Sequence, residues 1–145
     1  MPTGSNFLVE FGGKKILIDC GLVQGEQYSI PINSAPFIYD AKSIDILFVT
    51  HAHLDHVGRI PYLVRDGFKG QIISTEPTRE MAELIMLDSV GLLEKEAKRS
   101  GAPMIYEEKD VFESMHLWGT TLTYEKEFVI ETNDGNAVIT LHDAG

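Results

Sequence analysis

The sequence predicts an α/β or α+β chain built on at least one mixed sheet. Three observations carry this. Short apolar runs rich in β-branched residues alternate with helical stretches over the first two-thirds of the chain. A Gly-Gly step near the start and an Asp-Gly step near the end mark hairpin turns. One amphipathic stretch, near 77–100, is long enough to form a helix covering a sheet.

Taken in order, SNFLVEFGGKKILIDCG (5–21) holds two β-rich runs joined by Gly12-Gly13. Along the second run Ile16 and Ile18 face one way and Leu17 and Asp19 the other, which puts Asp19 at a strand's C-terminal end. Residues 22–43, with Pro31 and Pro36, read as a long irregular loop. IDILFVT (44–50) is apolar enough for a strand covered on both faces. A short helix near 57–66 should end at Gly67, and QIIST (71–75) is a second buried strand. Thr75 and Pro77 then supply a cap and a first-turn proline for the 77–100 helix. Its Met81, Leu84, Ile85 and Leu92 are expected in the core. Glu94 and Lys98 should pair one turn apart, and Gly101 and Pro103 stop the helix. After a helix around 107–117, the segments TLTY, EFVIE and NAVITLHDAG should run as a meander, the last two joined at Asn133-Asp134-Gly135.

Composition narrows the function classes. The 145 residues suffice for one core, as a single domain or a piece of a larger one. Twenty-two acidic against 12 basic residues give a net charge of -10, which provides no electrostatic footprint for a nucleic-acid backbone. A single cysteine, Cys20, cannot close an internal disulfide and suits a reducing compartment. The start lacks a secretory signal, and no apolar run approaches the ~20 residues of a membrane span. A soluble, cytoplasmic protein is expected.

THAHLDHVG (50–58) gathers three of the five histidines and one aspartate directly after a strand. Imidazole and carboxylate are the ligand types that suit zinc and related ions. Without an ion, three imidazoles would be crowded for no gain, so His51, His53, Asp55 and His56 are read as metal ligands. Strand carboxyl ends are where ligands gather in α/β sheets, and Asp19 shares that location. Asp19 either orients a ligand imidazole through its other ring nitrogen or caps backbone amides; spacing does not choose between them. Cys20 is expected to be a buried, inert thiol, since no basic neighbour in sequence lowers its pKa. His116 should be solvated or at the core's edge.

H-x-H-x-D-H after a strand, preceded by ILIDCG, resembles the metallo-β-lactamase superfamily. Within it, TGSNFLVEFGGKKILIDCGLVQG, THAHLDHVGRIPYL and TEPTREMAELIMLDS resemble the β-CASP ribonuclease branch, which holds RNA-processing exonucleases and the pre-mRNA cleavage endonuclease. The histidine motif is shared by hydrolases of many substrates. The GRIPYL continuation and the TEPTREMAELIMLDS helix entry discriminate better. Almost the whole chain is covered.

The resemblance implies the first half of an αββα sandwich, a mixed sheet flanked by helices. It implies that His51 and His53 bind one zinc ion and Asp55 and His56 a second. Asp55 would also act catalytically, by accepting a hydrogen bond from the attacking water, with Asp19 supporting the site. The reaction would be RNA phosphodiester cleavage by a metal-activated hydroxide. The family's third metal motif is a histidine just after Ala-Gly, and this chain stops at LHDAG. Residues 1–145 are therefore expected to be a partial domain, without the inserted β-CASP domain, that binds zinc weakly and is inactive alone. His142 would lie near the site but outside it. RNA would be held by parts of the protein beyond this chain, which reconciles the acidic balance with such a substrate, and a homodimer of the parent protein stays open. The rival readings are a hydrolase of small esters, thioesters or lactones, and a non-catalytic scaffold in RNA processing.

Overall fold

A computed structural model describes residues 4–25 and 29–144. β1 (Phe7–Phe11) and β2 (Lys14–Ile18) form the expected antiparallel hairpin, turning through Gly12 and Gly13, both at positive φ. The 22–43 stretch is more ordered than expected. Its described part contains α1 (Ser29–Ser34) and a 3-10 turn at Ala41–Ser43, opened by Asp40, whose carboxylate accepts from the Lys42 amide. Residues 26–28 of that stretch lie outside the described residues. β3 (Ile46–Phe48) is followed by two short helices, α2 (Leu54–Val57) and α3 (Ile60–Arg65), in place of one near 57–66. The helical geometry breaks at Arg59, and Pro61 opens the second helix in its first turn. β4 (Gln71–Ser74), α4 (Glu76–Ser100), α5 (Glu108–Leu117), β5 (Thr120–Thr121), β6 (Glu127–Thr132) and β7 (Gly135–Thr140) complete the order.

Strand order in the main sheet is β1-β2-β3-β4-β5, antiparallel at the first pair and parallel at the other three, so the sheet is mixed. The expected meander is not formed. β5 joins this sheet beside β4, and only β6 and β7 pair with each other, as a separate hairpin. Register explains the layering, because residues paired across strands point to the same face. Leu17, Leu47 and Ile72 pair in a row and face the helices, fully buried among Val57, Ile60, Met86 and Trp118. Ile16, Ile46, Phe48 and Ile73 face the other way, against Ile130 of the hairpin, with the Phe48 and Phe128 rings edge-on at 6.0 Å. Helices, mixed sheet and hairpin thus make three layers around two apolar seams.

α4 starts and stops where the sequence says. The Thr75 side chain accepts from the Thr78 amide, and Gly101 ends the helix in the left-handed conformation at φ 74. Its buried face differs from expectation. Met81, Leu84 and Leu92 are 52%, 65% and 54% exposed, whereas Ala82, Met86 and Ser89 are buried. The buried face runs through Ala82, Met86 and Ser89, and Ile85, as expected, packs half-buried against the core beside it. The bulky stripe of Met81, Leu84 and Leu92 is left outward. The ion pair near its end joins Arg99 to Glu96 at 2.9 Å, in place of the expected Glu94–Lys98 pair. Trp118 ties α5 to the sheet by donating its indole N–H to Ser74 Oγ at 2.9 Å. Among the described residues no helix is long and apolar enough to cross a membrane.

Candidate metal centre

The site is built where β2 and β3 end. Asp19 follows β2 at φ 60, a left-handed conformation that aspartate tolerates better than most side chains. Its amide donates to the Phe48 carbonyl at 2.8 Å and its own carbonyl accepts from Asn6 Nδ2 at 2.8 Å, so the backbone is held on both sides. That twist places a carboxylate, 2% exposed, beneath the exit of β3. Oδ1 accepts from the Thr50 amide at 2.8 Å, and Oδ2 accepts from the Thr50 hydroxyl at 2.8 Å and His56 Nδ1 at 2.7 Å. Asp19 thus both caps a backbone amide and accepts from an imidazole.

His53 occupies the N-cap of α2 with extended backbone (φ −64, ψ 147), and its side chain does not cap the helix. Its carbonyl takes the amides of His56 and Val57, which leaves the exposed imidazole for other work. Asp55, in the first turn, is a favourable charge at a helix N-terminus. The His51 ring lies 3.9 Å from that of His56 and 4.8 Å from that of His53, centroid to centroid. Burial, then the nearby His56 and His53, pull the His51 pKa below the usual imidazole value. A neutral ring with a lone pair is the form a metal ligand requires.

Close backbone approach holds this corner together, and sequence reasoning missed the residues responsible. Cys20 N donates to the His56 carbonyl at 2.8 Å, Leu22 N to that of Leu54 at 3.1 Å, and Ser5 N to that of Asp55 at 2.7 Å. A Cβ at Gly21 would collide with the Asp55 carbonyl, so only glycine fits there. The signal was legible as a glycine two residues after the motif aspartate. Arg59 returns the contact. Its amide donates to the Cys20 carbonyl at 2.9 Å, its guanidinium lies 4.3 Å from the Phe37 ring and 5.1 Å from that of Tyr62, and Nη2 donates to the Ala35 carbonyl. Cys20 therefore does have a basic neighbour in space, but burial outweighs it and pushes the thiol up to about 12. His116 is exposed at the end of α5, and His142 bonds Glu125 at 2.8 Å on the hairpin side.

With Nδ1 donating to Asp19, a neutral His56 ring turns its Nε2 lone pair toward Asp55 Oδ2, 3.7 Å away. Two acceptors at that spacing fit a cation between them, since zinc bonds to nitrogen and carboxylate oxygen run ~2.0–2.2 Å. The donor chemistry of the quartet thus suits a divalent ion. Among the described residues, however, no group of three His, Cys, Asp or Glu side chains is arranged around one point. Beside the cluster runs a groove of about 450 Å³ between α2 and α4, lined by His53, Leu54, Leu84, Ile85, Asp88 and Leu92.

Residues 3–139 match the family model described as the metallo-beta-lactamase superfamily. Among curated proteins, Ribonuclease TTHA0252 of Thermus thermophilus is 41% identical over 93 residues, covering 64% of this chain and 21% of that protein. Transcription termination factor FttA of Methanococcus maripaludis is 36% identical over 135 residues, 90% of this chain and 20% of the relative. Cleavage and polyadenylation specificity factor 73 of Drosophila melanogaster is 33% identical over 129 residues, 87% and 18%. The chain spans about a fifth of the length of these relatives. Its fold is that of BJP-1, a subclass B3 metallo-beta-lactamase of Bradyrhizobium japonicum, with TM-score 0.55 at 15% identity over 97% of this chain and 45% of that one.

Proposed function

The chain belongs to the metallo-beta-lactamase superfamily, and we propose from that premise that it is part of a cytoplasmic, zinc-dependent ribonuclease of the β-CASP branch. The observation that carries the reading is the His-x-His-x-Asp-His quartet, one imidazole of which hydrogen-bonds Asp19 through Nδ1 and brings its Nε2 to 3.7 Å from Asp55. The names of the relatives, a ribonuclease and a cleavage and polyadenylation specificity factor, support RNA as the substrate class. His51 and His53 would hold one ion and Asp55 and His56 the other. Bound zinc would supply Lewis-acid polarisation of a phosphoryl oxygen and bring the pKa of water toward ~7.

The chain's own residues do the rest. Asp55 accepts a hydrogen bond from the attacking water and aims it, while Asp19 keeps His56 in the correct tautomer. The quartet offers two side chains to each ion against the three or four of a stable site, so residues 1–145 by themselves bind zinc weakly. RNA contacts and the further ligands would come from residues outside this chain, and a homodimer of the parent protein stays open. Replacing His53 with Ala in the intact protein should lower metal-dependent RNA cleavage by at least 10²-fold. Unchanged cleavage, or hydrolysis of a chromogenic ester with none of RNA, would reject the assignment.

A further inference from the structure

We propose that Thr50 is a positioning residue whose hydroxyl relays the Asp19 carboxylate to His51 and fixes that imidazole as the Nδ1–H tautomer, with Nε2 left to bind a cation. The inference deepens the metal-centre reading and concerns a side chain that itself touches no ion.

An ionised carboxylate only accepts, and Asp19 receives three donors: the Thr50 amide on Oδ1, and the Thr50 hydroxyl and His56 Nδ1 on Oδ2. A threonine hydroxyl has one hydrogen. That hydrogen is committed to Asp19 at 2.8 Å, where the charge on the acceptor makes the bond stronger than a neutral one. Thr50 Oγ1 also lies 3.0 Å from His51 Nδ1. With its hydrogen spent, the oxygen can only accept there, so His51 must donate from Nδ1. A neutral imidazole carries one N–H, and Nε2 of His51 is therefore the free lone pair. One buried carboxylate sets two rings, His56 directly and His51 through Thr50. The two rings stand 3.9 Å apart, so both lone pairs are fixed within one small volume.

The relay separates from a packing role by substitution. Thr50→Val keeps the branched shape and removes the hydroxyl, whereas Thr50→Ser keeps the hydroxyl and removes the methyl. Long-range ¹H–¹⁵N correlation spectra of the labelled, metal-free chain read which ring nitrogen carries the proton. They are recorded about 1.5 pH units above the ordinary imidazole pKa of ~6.5. The expected result is Nδ1–H at His51 in the parent chain and in Thr50→Ser, and loss of that preference in Thr50→Val. His56 should keep Nδ1–H throughout, which certifies that the variant is folded. Competition with a chromogenic chelator should show zinc binding weakened about 10- to 100-fold in Thr50→Val and restored in Thr50→Ser. Nε2–H at His51 in the parent chain, or a His51 pattern indifferent to Thr50→Val, would overturn the proposal. If Thr50→Val does not fold, the parent and serine spectra decide alone. Zinc binding absent from the intact protein, with the tautomer pattern as described, would instead overturn the metal reading and leave the relay standing.

Discussion

Asp19 concentrates more of the site's order than any member of the quartet does, since both of its oxygens already accept hydrogen bonds. Asp19→Asn would preserve size and the tolerance for left-handed backbone but replace one acceptor with a donor facing Thr50 and His56. Zinc affinity should fall about 10- to 100-fold in a competition titration, with the circular dichroism of the metal-free chain unchanged. His51 yields a pH prediction. Its folded-state pKa lies below the ordinary value, so the unfolded chain takes up this proton first as pH falls. The stability at stake is fully present above ~6.5 and is lost as pH drops through that point toward the folded value. The urea midpoint of the metal-free chain should fall between about pH 7.5 and 5.5, and His51→Gln should flatten part of that slope. Cys20, fully buried and pushed up to about 12, should resist alkylation near neutral pH until denaturant is added.

At the scale of elements, the corner between β2 and α2 depends on backbones that touch. Gly21→Ala forces a methyl into the Asp55 carbonyl and should destabilise by at least about 1–3 kcal/mol. The measurement is urea unfolding followed by the fluorescence of Trp118, the one tryptophan, which is fully buried. Thr75→Ala removes the cap of α4 and should cost about 1 kcal/mol in the same assay. α4 also shows how far periodicity reaches. Its length, cap and stop are all written locally, in Thr75, Pro77 and Gly101. Which apolar stripe is buried is not, because Met81, Leu84 and Leu92 satisfy the spacing rule as well as Ala82, Met86 and Ser89 do. The choice falls to the surface the helix meets.

Across the whole molecule, apolar surface remains open at the edges. β1 is an edge strand whose Phe7, Val9 and Phe11 are all exposed, and Val129 and Val138 are exposed on the hairpin. An unpaired apolar edge invites association. Val9→Lys should lower the apparent mass of the metal-free chain in sedimentation at high concentration without lowering its urea midpoint.

Local sequence determined most of the strands, the start and stop of α4, both hairpin turns and the cluster of ligand-type side chains, because turn chemistry, caps and periodicity act within a few residues. Tertiary structure alone decided that β5 leaves the last hairpin, which face of α4 is buried, and that Asp19 both caps Thr50 and holds His56. It also brought Gly21, Thr50 and Arg59 to the same corner. Each of those outcomes rests on a contact between segments tens of residues apart, whose geometry exists only once the parallel strands have set the chain's two carboxyl-end turns side by side.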